Sequence, residues 1–571
     1  MNEKLRIVII GGVAGGASAA ARARRLSESA EITIIEKGPY VSFANCGLPY
    51  HIGGVIPDRE SLLVQTPRSL HERFNITVRT MTEAVGIDRS ARTVALRGAD
   101  GRDAGTVPWD RLILSPGAQA FRPSMPGVDL PGVFTLQTIP DMDAVIAHIA
   151  RGGVRRAAVI GGGFIGLEAA ENLAKKGIAV DLVEADRQVM PPLDHEMAEI
   201  VHQHLAVRGV ALHLERRVTG ISHNGNALTL AFDDGKTMDT RMVLLSIGVR
   251  PRTGLARAAG LAIGVTGGIA VDERMRTSDP DIYAIGDAVE VTSPVTGLPG
   301  FVPLAGPANR QGRIAADSIF GRDSAYRGTL GTSICKVFDL AAGGTGASEK
   351  LLRKSGRDFR KVYVHAGNHA GYYPGAYPVA IKLLFDPSSG LLLGAQAVGA
   401  EGVDKRIDVL ATALGARLTV FDLEHLELSY APPFGSAKDP VNMAGFTAAN
   451  MLRGDHRVIH AEDLHDLDPE RDFLLDVRTA DEFRADSIDG AVNIPVNELR
   501  PRLGELPKNK RIIAYCAVGL RGYVAQRMLT LSGFDAVNLC GGFKTWLMAT
   551  GQLSGAGSQP VPDTFRSGPG K

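Results

Sequence analysis

The chain has 571 residues, 44% of them hydrophobic and 22% charged, with a formal net charge of +1. That length implies three or four domains, and the near-neutral balance excludes a field that would favour nucleic acid or an anionic membrane surface. No apolar run reaches the roughly 18 residues of a membrane span, and the four cysteines, Cys46, Cys335, Cys516 and Cys540, form no C-x-x-C pair of the kind that implies zinc or a disulfide framework.

The opening MNEKLRIVIIGG runs straight into a predicted strand. It leaves no room for a signal peptide, so a reducing cytoplasm is the expected setting. Residues 5–26 read strand, glycine turn, helix, and a second strand follows at 31–38, the opening of a βαβ nucleotide-binding unit. The same signature recurs at 156–177, followed by a strand at 179–186. Between the two units, 111-RLILSPG-117 is an apolar strand ending in a glycine turn, and 243-VLLSIGVRPRT-253 repeats that form. A short buried strand then ends in Gly286-Asp287. From about residue 325 the pattern changes to short strands (334–346, 378–386, 391–399) and a helix at 402–416, which reads as a separate α+β domain. A further small α/β unit occupies 460–550. The tail 553–571, rich in Gly, Pro and Ser, has the composition of a disordered segment.

Each glycine turn offers backbone amides at a helix N-terminus, where a pyrophosphate can sit. In the first, Gly11 makes the turn, Val13 stands where a middle glycine is usual, Ala14 follows, and Gly16 allows close helix packing. Glu36, with Lys37 after it, ends the second strand, where a carboxylate can bond a ribose diol. The second turn matches G-x-G-x-x-G fully through Gly161, Gly163 and Gly166, with Phe164 and Ile165 between. Glu184 ends the next strand; a carboxylate there repels a 2′-phosphate and favours NADH over NADPH, while Arg187 nearby counts the other way.

Two such units with the Gly286-Asp287 turn resemble the pyridine nucleotide–disulfide oxidoreductase family over roughly residues 1–450. The resemblance implies an α/β fold with two Rossmann-like domains, for FAD (1–118 and 243–322) and for NAD(P)H (119–242), with Asp287 bonding the flavin ribitol. It implies an α+β dimerisation domain at 323–450, and hence a homodimer. Within the family, 43-FANCGLPY-50 is similar to the coenzyme A-disulfide reductase branch, which uses one redox cysteine. Enzymes with an internal disulfide need a second cysteine a few residues on, but here the fifth residue after Cys46 is His51. A lone Cys46 thiolate can attack a disulfide or persulfide and form a mixed disulfide. The alternative, an oxidase or peroxidase cycling through a sulfenic acid, tends to carry a histidine in the first glycine turn, and this turn has none. The resemblance further implies Tyr430 and Tyr372 as proton donors reaching the cysteine from the other subunit. It places Ser42, Asn45, Arg22, Arg25 and Lys438 around a coenzyme A-borne substrate. Phe74 and Asn309 depart from that pattern, standing where a lysine and a histidine are expected.

After an expected linker at 451–460, residues 461–552 resemble a rhodanese domain. A strand ends, Cys516 opens the loop 516-CAVGLR-521, and a helix begins at Arg521. Loop amides and a helix N-terminus lower a thiol pKa and hold an anionic persulfide. Four residues separate Cys516 from Arg521, one fewer than in phosphatases of similar fold, so sulfur is the better cargo. Asp476, Arg478, Cys335 and Cys540 are expected to be structural. The whole chain therefore resembles coenzyme A-disulfide reductase–rhodanese fusions. The implied substrates are small sulfur compounds: coenzyme A persulfide, polysulfide or coenzyme A disulfide. Plain coenzyme A-disulfide reduction and a slow sulfur-carrier protein are the competing readings, with no membrane or nucleic-acid partner and no metal expected.

Overall fold

The computed structural model describes residues 4–555, so the expected disordered tail lies, from 556 onward, outside the described residues. The chain divides into two compact units, Met1–Val183 with Arg216–Gly331, and Glu184–Glu215 with Thr332–Lys571.

The first unit contains two nucleotide-binding sheets. One is a five-stranded parallel sheet in the order Ile282–Ala284, Arg111–Leu114, Arg6–Ile10, Glu31–Ile35, Thr77–Arg79. Its central strands are continuous apolar runs because both faces are covered, one by the helices Gly15–Arg24 and Ala305–Ile319 and the other chiefly by the antiparallel strands Thr82–Asp88, Thr93–Gly98 and Asp103–Pro108. The helix Gly15–Arg24 packs closely against Ala305–Ile319. Gly312 permits this approach, since a Cβ there would stand 2.4 Å from the Gly15 carbonyl oxygen. The other sheet runs Ala179–Val183, Arg156–Ile160, Met242–Leu245, Val133–Thr135, all parallel. This corrects one expected boundary. Residues 242–245, assigned from 243 onward to the first domain, pair with Arg156–Ile160 in the second sheet. Both sheets use a return strand of the same apolar form, and only pairing distinguishes them.

In the second unit, an antiparallel sheet runs Ser333–Val337, Leu340–Gly346, Leu392–Gly399, Pro378–Phe385, Arg360–Gly367. The segment 334–346, read from sequence as one strand, is a hairpin. Phe338 takes the left-handed conformation at the turn (φ 57°), so no glycine or proline signals it. The helix Val403–Gly415 packs on one part of this sheet and Pro440–Leu452 on another. The C-terminal sheet is parallel, in the order Val458–Ile459, Ala536–Leu539, Arg511–Tyr515, Asp472–Asp476, Val492–Asn493. The expected linker therefore carries some regular structure: 451–452 finish a helix and Val458–Ile459 form an edge strand. A two-residue strand is too short to show alternation.

Lys382, fully buried, is the centre of a charge cluster in this unit. Its ammonium meets Asp194 at 2.8 Å, Glu349 at 2.5 Å, and Glu196. Lys361 joins Glu349 at 2.8 Å to Glu462 at 2.5 Å. Asp194, Glu196 and Glu349 are close enough to share a cation, and the Lys382 ammonium is that cation. Among the described residues, no helix is long and apolar enough to cross a membrane.

Candidate active site

In the first glycine turn Gly11 has φ 92° and donates its N–H to the Ile35 carbonyl at 2.8 Å. A Cβ on Gly16 would lie 1.9 Å from the Gly11 carbonyl oxygen, so both positions require glycine. Val13 and Ala14 lead into helix Gly15–Arg24, which has no side-chain cap and no acid in its first turn. Its N-terminal amides therefore remain available to an anion. The Glu36 carboxylate accepts the Gly12 N–H at 3.0 Å and the Gly38 N–H at 2.8 Å, which fixes it over the turn. Lys37 pairs with Glu83 at 2.8 Å, facing a surface partner. Asp287 follows Gly286 (φ 75°), whose N–H donates to Gln311 at 2.7 Å. Burial pushes the Asp287 carboxyl up to about 6. A buried acid of this kind calls for a hydroxyl partner, which a flavin ribityl chain provides, so the residues fit FAD.

Cys46 sits in a short 3-10 turn, Asn45–Gly47, that leads into helix Leu48–Gly53. Asn45 and Cys46 are exposed. Ser42, in the left-handed region (φ 49°), donates its N–H to the Gly12 carbonyl at 2.9 Å. The cysteine segment is thereby tied to the first glycine turn. His51, on the first turn past the cysteine, is held through Nδ1 by the Ile56 carbonyl at 2.7 Å. Desolvation by the surrounding chain raises the Cys46 thiol pKa, and the carboxylates of Glu168 and Asp287 raise it further. Glu168 accepts a hydrogen bond from the Tyr50 hydroxyl at 3.1 Å, and burial pushes its carboxyl up to about 7. The sequence reading missed both residues. The signal was present: Glu168 lies two residues past Gly166, on the helix that opens from the second glycine turn.

A group poised near neutrality beside a nucleophilic thiol can hold or move a proton. Glu168→Gln removes one of the charges that raise the Cys46 pKa. The pH midpoint of Cys46 alkylation by iodoacetamide is expected to move down in this variant. An unmoved midpoint, in a folded variant, would take Glu168 out of the thiol's surroundings.

The second glycine turn repeats the first. Gly161 has φ 102° and donates to the Val183 carbonyl at 2.8 Å. A Cβ on Gly166 would meet the Gly161 carbonyl oxygen at 1.9 Å, and the space beside Gly163 is open. Gly163 caps helix Phe164–Lys175 without a side chain, and Ile165 on its first turn is exposed. These residues fit a dinucleotide pyrophosphate. Glu184 directly follows strand Ala179–Val183, and its Oε1 accepts the Asp186 N–H at 3.0 Å.

In the second unit, the Tyr372 and Tyr430 hydroxyls are hydrogen-bonded at 2.9 Å, and the two side chains are 76% and 50% exposed. The bond from Tyr430 raises the Tyr372 pKa. Phe434 beside them is 70% exposed. Buried Arg406 supports this surface by joining the Asn368 carbonyl at 2.6 Å to Asp439 at 2.7 Å. The two loops that carry the tyrosines are thereby fixed to each other, a role the sequence did not indicate.

The expected phosphate-binding residues fare unequally. Arg22 is ion-paired to Asp317 at 2.6 Å, both largely buried, so its charge holds helix Gly15–Arg24 against Ala305–Ile319. The sequence did not indicate this partner, because Asp317 is 295 residues away. Arg25 and Lys438 are exposed. Phe74 packs against the apolar core of the first sheet, and Asn309 bonds Ser18 and the Ala305 carbonyl.

Cys516 follows strand Arg511–Tyr515 and is fully buried. Gly519 (φ 98°) turns the loop and donates its N–H to the Cys516 Sγ at 3.2 Å. Helix Leu520–Leu531 starts there, one residue before the expected Arg521. The carbonyl side of the loop is held from outside. Phe543 N–H donates to the Cys516 oxygen at 2.7 Å and Lys544 N–H to the Ala517 oxygen at 3.0 Å. The Asn538 amide donates to the Gly519 oxygen at 3.2 Å and meets His456 at 2.9 Å. Arg521 lies beside the thiol and makes two hydrogen bonds to Glu482, at 2.8 and 2.6 Å. Asp476 and Arg478 form a buried pair under the loop. Burial pushes the Cys540 thiol up to about 11, which leaves it unreactive.

These features define a flavin- and pyridine-nucleotide-dependent oxidoreductase with a sulfur-handling loop at its C-terminal end. The chain belongs to the pyridine nucleotide-disulphide oxidoreductase family: the family model matches residues 5–312, that of its dimerisation domain 332–440, and that of the rhodanese-like domain 460–549. The family implies FAD and NAD(P)H as cofactors. The chain is similar to the solved structure of reduced Bacillus anthracis CoADR-RHD, with 49% identity, 96% of this chain and 99% of that one covered, and a TM-score of 0.94. It is also similar to the structure of a NAD-dependent persulfide reductase from A. fulgidus, with 38% identity, 95% and 100% covered, and a TM-score of 0.89. A coenzyme A disulfide reductase of Staphylococcus haemolyticus is 35% identical over 447 residues, 78% of this chain and all of the relative.

Proposed function

We propose that this chain reduces small persulfides, polysulfides or coenzyme A persulfide and disulfide through the single cysteine Cys46, with NADH as electron source, and that Cys516 handles the sulfane sulfur released as hydrogen sulfide. The observation that carries this reading is the pair of cysteines. Cys46 is exposed with His51, not a second cysteine, one turn on. Cys516 lies in a loop whose glycine amide points at its sulfur.

The Cys46 thiolate attacks the substrate's S–S bond, retains one half as a mixed disulfide, and releases the other as a thiolate. Bound FAD and NADH supply the two electrons that release the retained half. The Tyr372–Tyr430 pair supplies the proton for the departing thiolate, contributed by the second copy in a homodimer. A phenol polarised by a neighbouring phenol suits this role. Ser42 and Asn45 contact the substrate beside Cys46, and the exposed Arg25 and Lys438 meet the phosphates of a coenzyme A carrier. Glu36 and Glu184 hold ribose hydroxyls, the second favouring NADH over a 2′-phosphorylated cofactor.

Anaerobic NADH oxidation with coenzyme A persulfide, inorganic polysulfide and coenzyme A disulfide, with sulfide assayed, tests the reading. Fast turnover of the sulfane-sulfur substrates with one sulfide per NADH is expected. Turnover of coenzyme A disulfide alone would reduce the function to thiol redox chemistry.

A further inference from the structure

We propose that the Cys516 loop takes its sulfur from organic persulfides, which carry at most one charge on the sulfur, and discriminates against dianionic donors such as thiosulfate. This rests on the reading of Cys516 as a sulfurtransferase centre and names its donor class.

The electrostatics of the loop carry the argument. Arg521 is the one cation in the segment 516–521, and Glu482 binds its guanidinium through two hydrogen bonds. Burial opposes the charge on Glu482, but the Arg521 guanidinium overrides it and holds the carboxyl down at about 2. The pair is thus ionised and neutral overall throughout the working range. Arg478, the other guanidinium under the loop, is paired to Asp476 at 2.7 Å and sits over the Phe543 ring, 4.2 Å from its centroid. Burial lowers the Lys544 pKa to about 7, so this ammonium adds only part of a charge. A dianion needs excess positive charge to offset its lost hydration, and each full cation here already has a carboxylate.

What the loop offers a ligand is apolar. Val518, Leu520 and Val524 are 37%, 56% and 47% exposed. Leu520 and Val524 are four residues apart on helix Leu520–Leu531 and so share a face. Such a surface suits the aliphatic stem of a thiol carrier. The Gly519 N–H at the sulfur stabilises one negative charge.

The transfer is balanced without an oxidant. The Cys516 thiolate attacks the outer sulfur of R–S–SH. A new S–S bond to Cys516 forms as the substrate's RS–SH bond breaks, and the electron pair leaves on R–S⁻. That thiolate takes up the proton the new persulfide releases.

The test uses the full-length holoenzyme carrying Cys46→Ser, so that sulfur uptake reports Cys516. Glutathione persulfide and thiosulfate are compared at equal concentration, and the gain of one sulfur atom is followed by intact-protein mass spectrometry. Loading from the persulfide is expected to be faster by on the order of tenfold or more. Glu482→Gln frees the Arg521 charge, and Leu520→Lys adds one on the exposed face. Each is expected to shift the ratio of the two rates toward thiosulfate by on the order of tenfold, the scale of one unscreened charge near the sulfur. Thiosulfate loading as fast as persulfide in the parent, or a ratio unmoved in both variants, would overturn the proposal while leaving the sulfurtransferase reading intact. Loading by neither donor, or sulfur uptake that survives Cys516→Ser, would overturn both.

Discussion

Cys46→Ser is expected to lower NADH-dependent reduction of persulfide and disulfide substrates by about three orders of magnitude, the scale of losing a covalent nucleophile. No other thiol can take over. Cys335 and Cys540 are buried, Cys516 is assigned to sulfane-sulfur transfer in the C-terminal loop, and His51 occupies the place where an internal disulfide partner would stand. A serine hydroxyl keeps the size of the side chain but does not exchange with disulfides. NADH-dependent reduction of a quinone dye, which needs the cofactors but no thiol, is expected to persist. That contrast separates loss of the nucleophile from loss of the fold. Full persulfide reduction by the serine variant would remove Cys46 from the mechanism. Tyr430→Phe is expected to cost about a hundredfold in the same assay, the lower range for a general acid, because the phenol bonded to Tyr372 is then gone.

Lys382→Met is expected to destabilise the second unit by about 3–5 kcal/mol, the range for breaking a buried ion pair by removing one partner. Lys382 is surrounded by Asp194, Glu196 and Glu349. Methionine fills its volume but leaves three carboxylates crowded in low dielectric. Burial opposes the charge on Glu349, and the Lys382 and Lys361 ammoniums overcome it, holding the carboxyl down at about 2. A carboxyl lowered from its ordinary 4.5 contributes stability that is present above that value and is lost as pH falls towards 2. The penalty in the variant is therefore largest at neutral pH and shrinks below about pH 4.5. Thermal unfolding of wild type and variant at pH 7 and pH 4 checks this. A drop in melting temperature of roughly 10 °C at pH 7, smaller at pH 4, is expected. An equal drop at both values would mean that packing rather than charge holds the cluster.

The sequence alone carried the fold class, both glycine turns, the GD turn and the two candidate cysteines, Cys46 and Cys516. In each case the chemistry depends on residues close together in the chain. Gly16 and Gly166 must be glycine because a Cβ would strike the Gly11 or Gly161 carbonyl five residues back, and Gly11 and Gly161 themselves take a positive φ. Cys516 and Gly519 are three residues apart, and one turn of loop brings amide to sulfur. Such constraints are local, and spacing expresses them.

Tertiary structure decided the charge partners. Arg22 and Asp317, Arg521 and Glu482, Arg406 and Asp439, and Lys382 and its three acids are each separated by dozens to hundreds of residues. An arginine bound for a phosphate and one bound for a buried aspartate look the same in a helix such as Gly15–Arg24. The same holds for Glu168, whose pKa burial raises against the opposing hydrogen bond from Tyr50 on a different helix. Backbone sterics act over a few residues and so can be read along the chain. Coulomb and desolvation terms depend on distance in space and on depth, and the folded chain alone sets both.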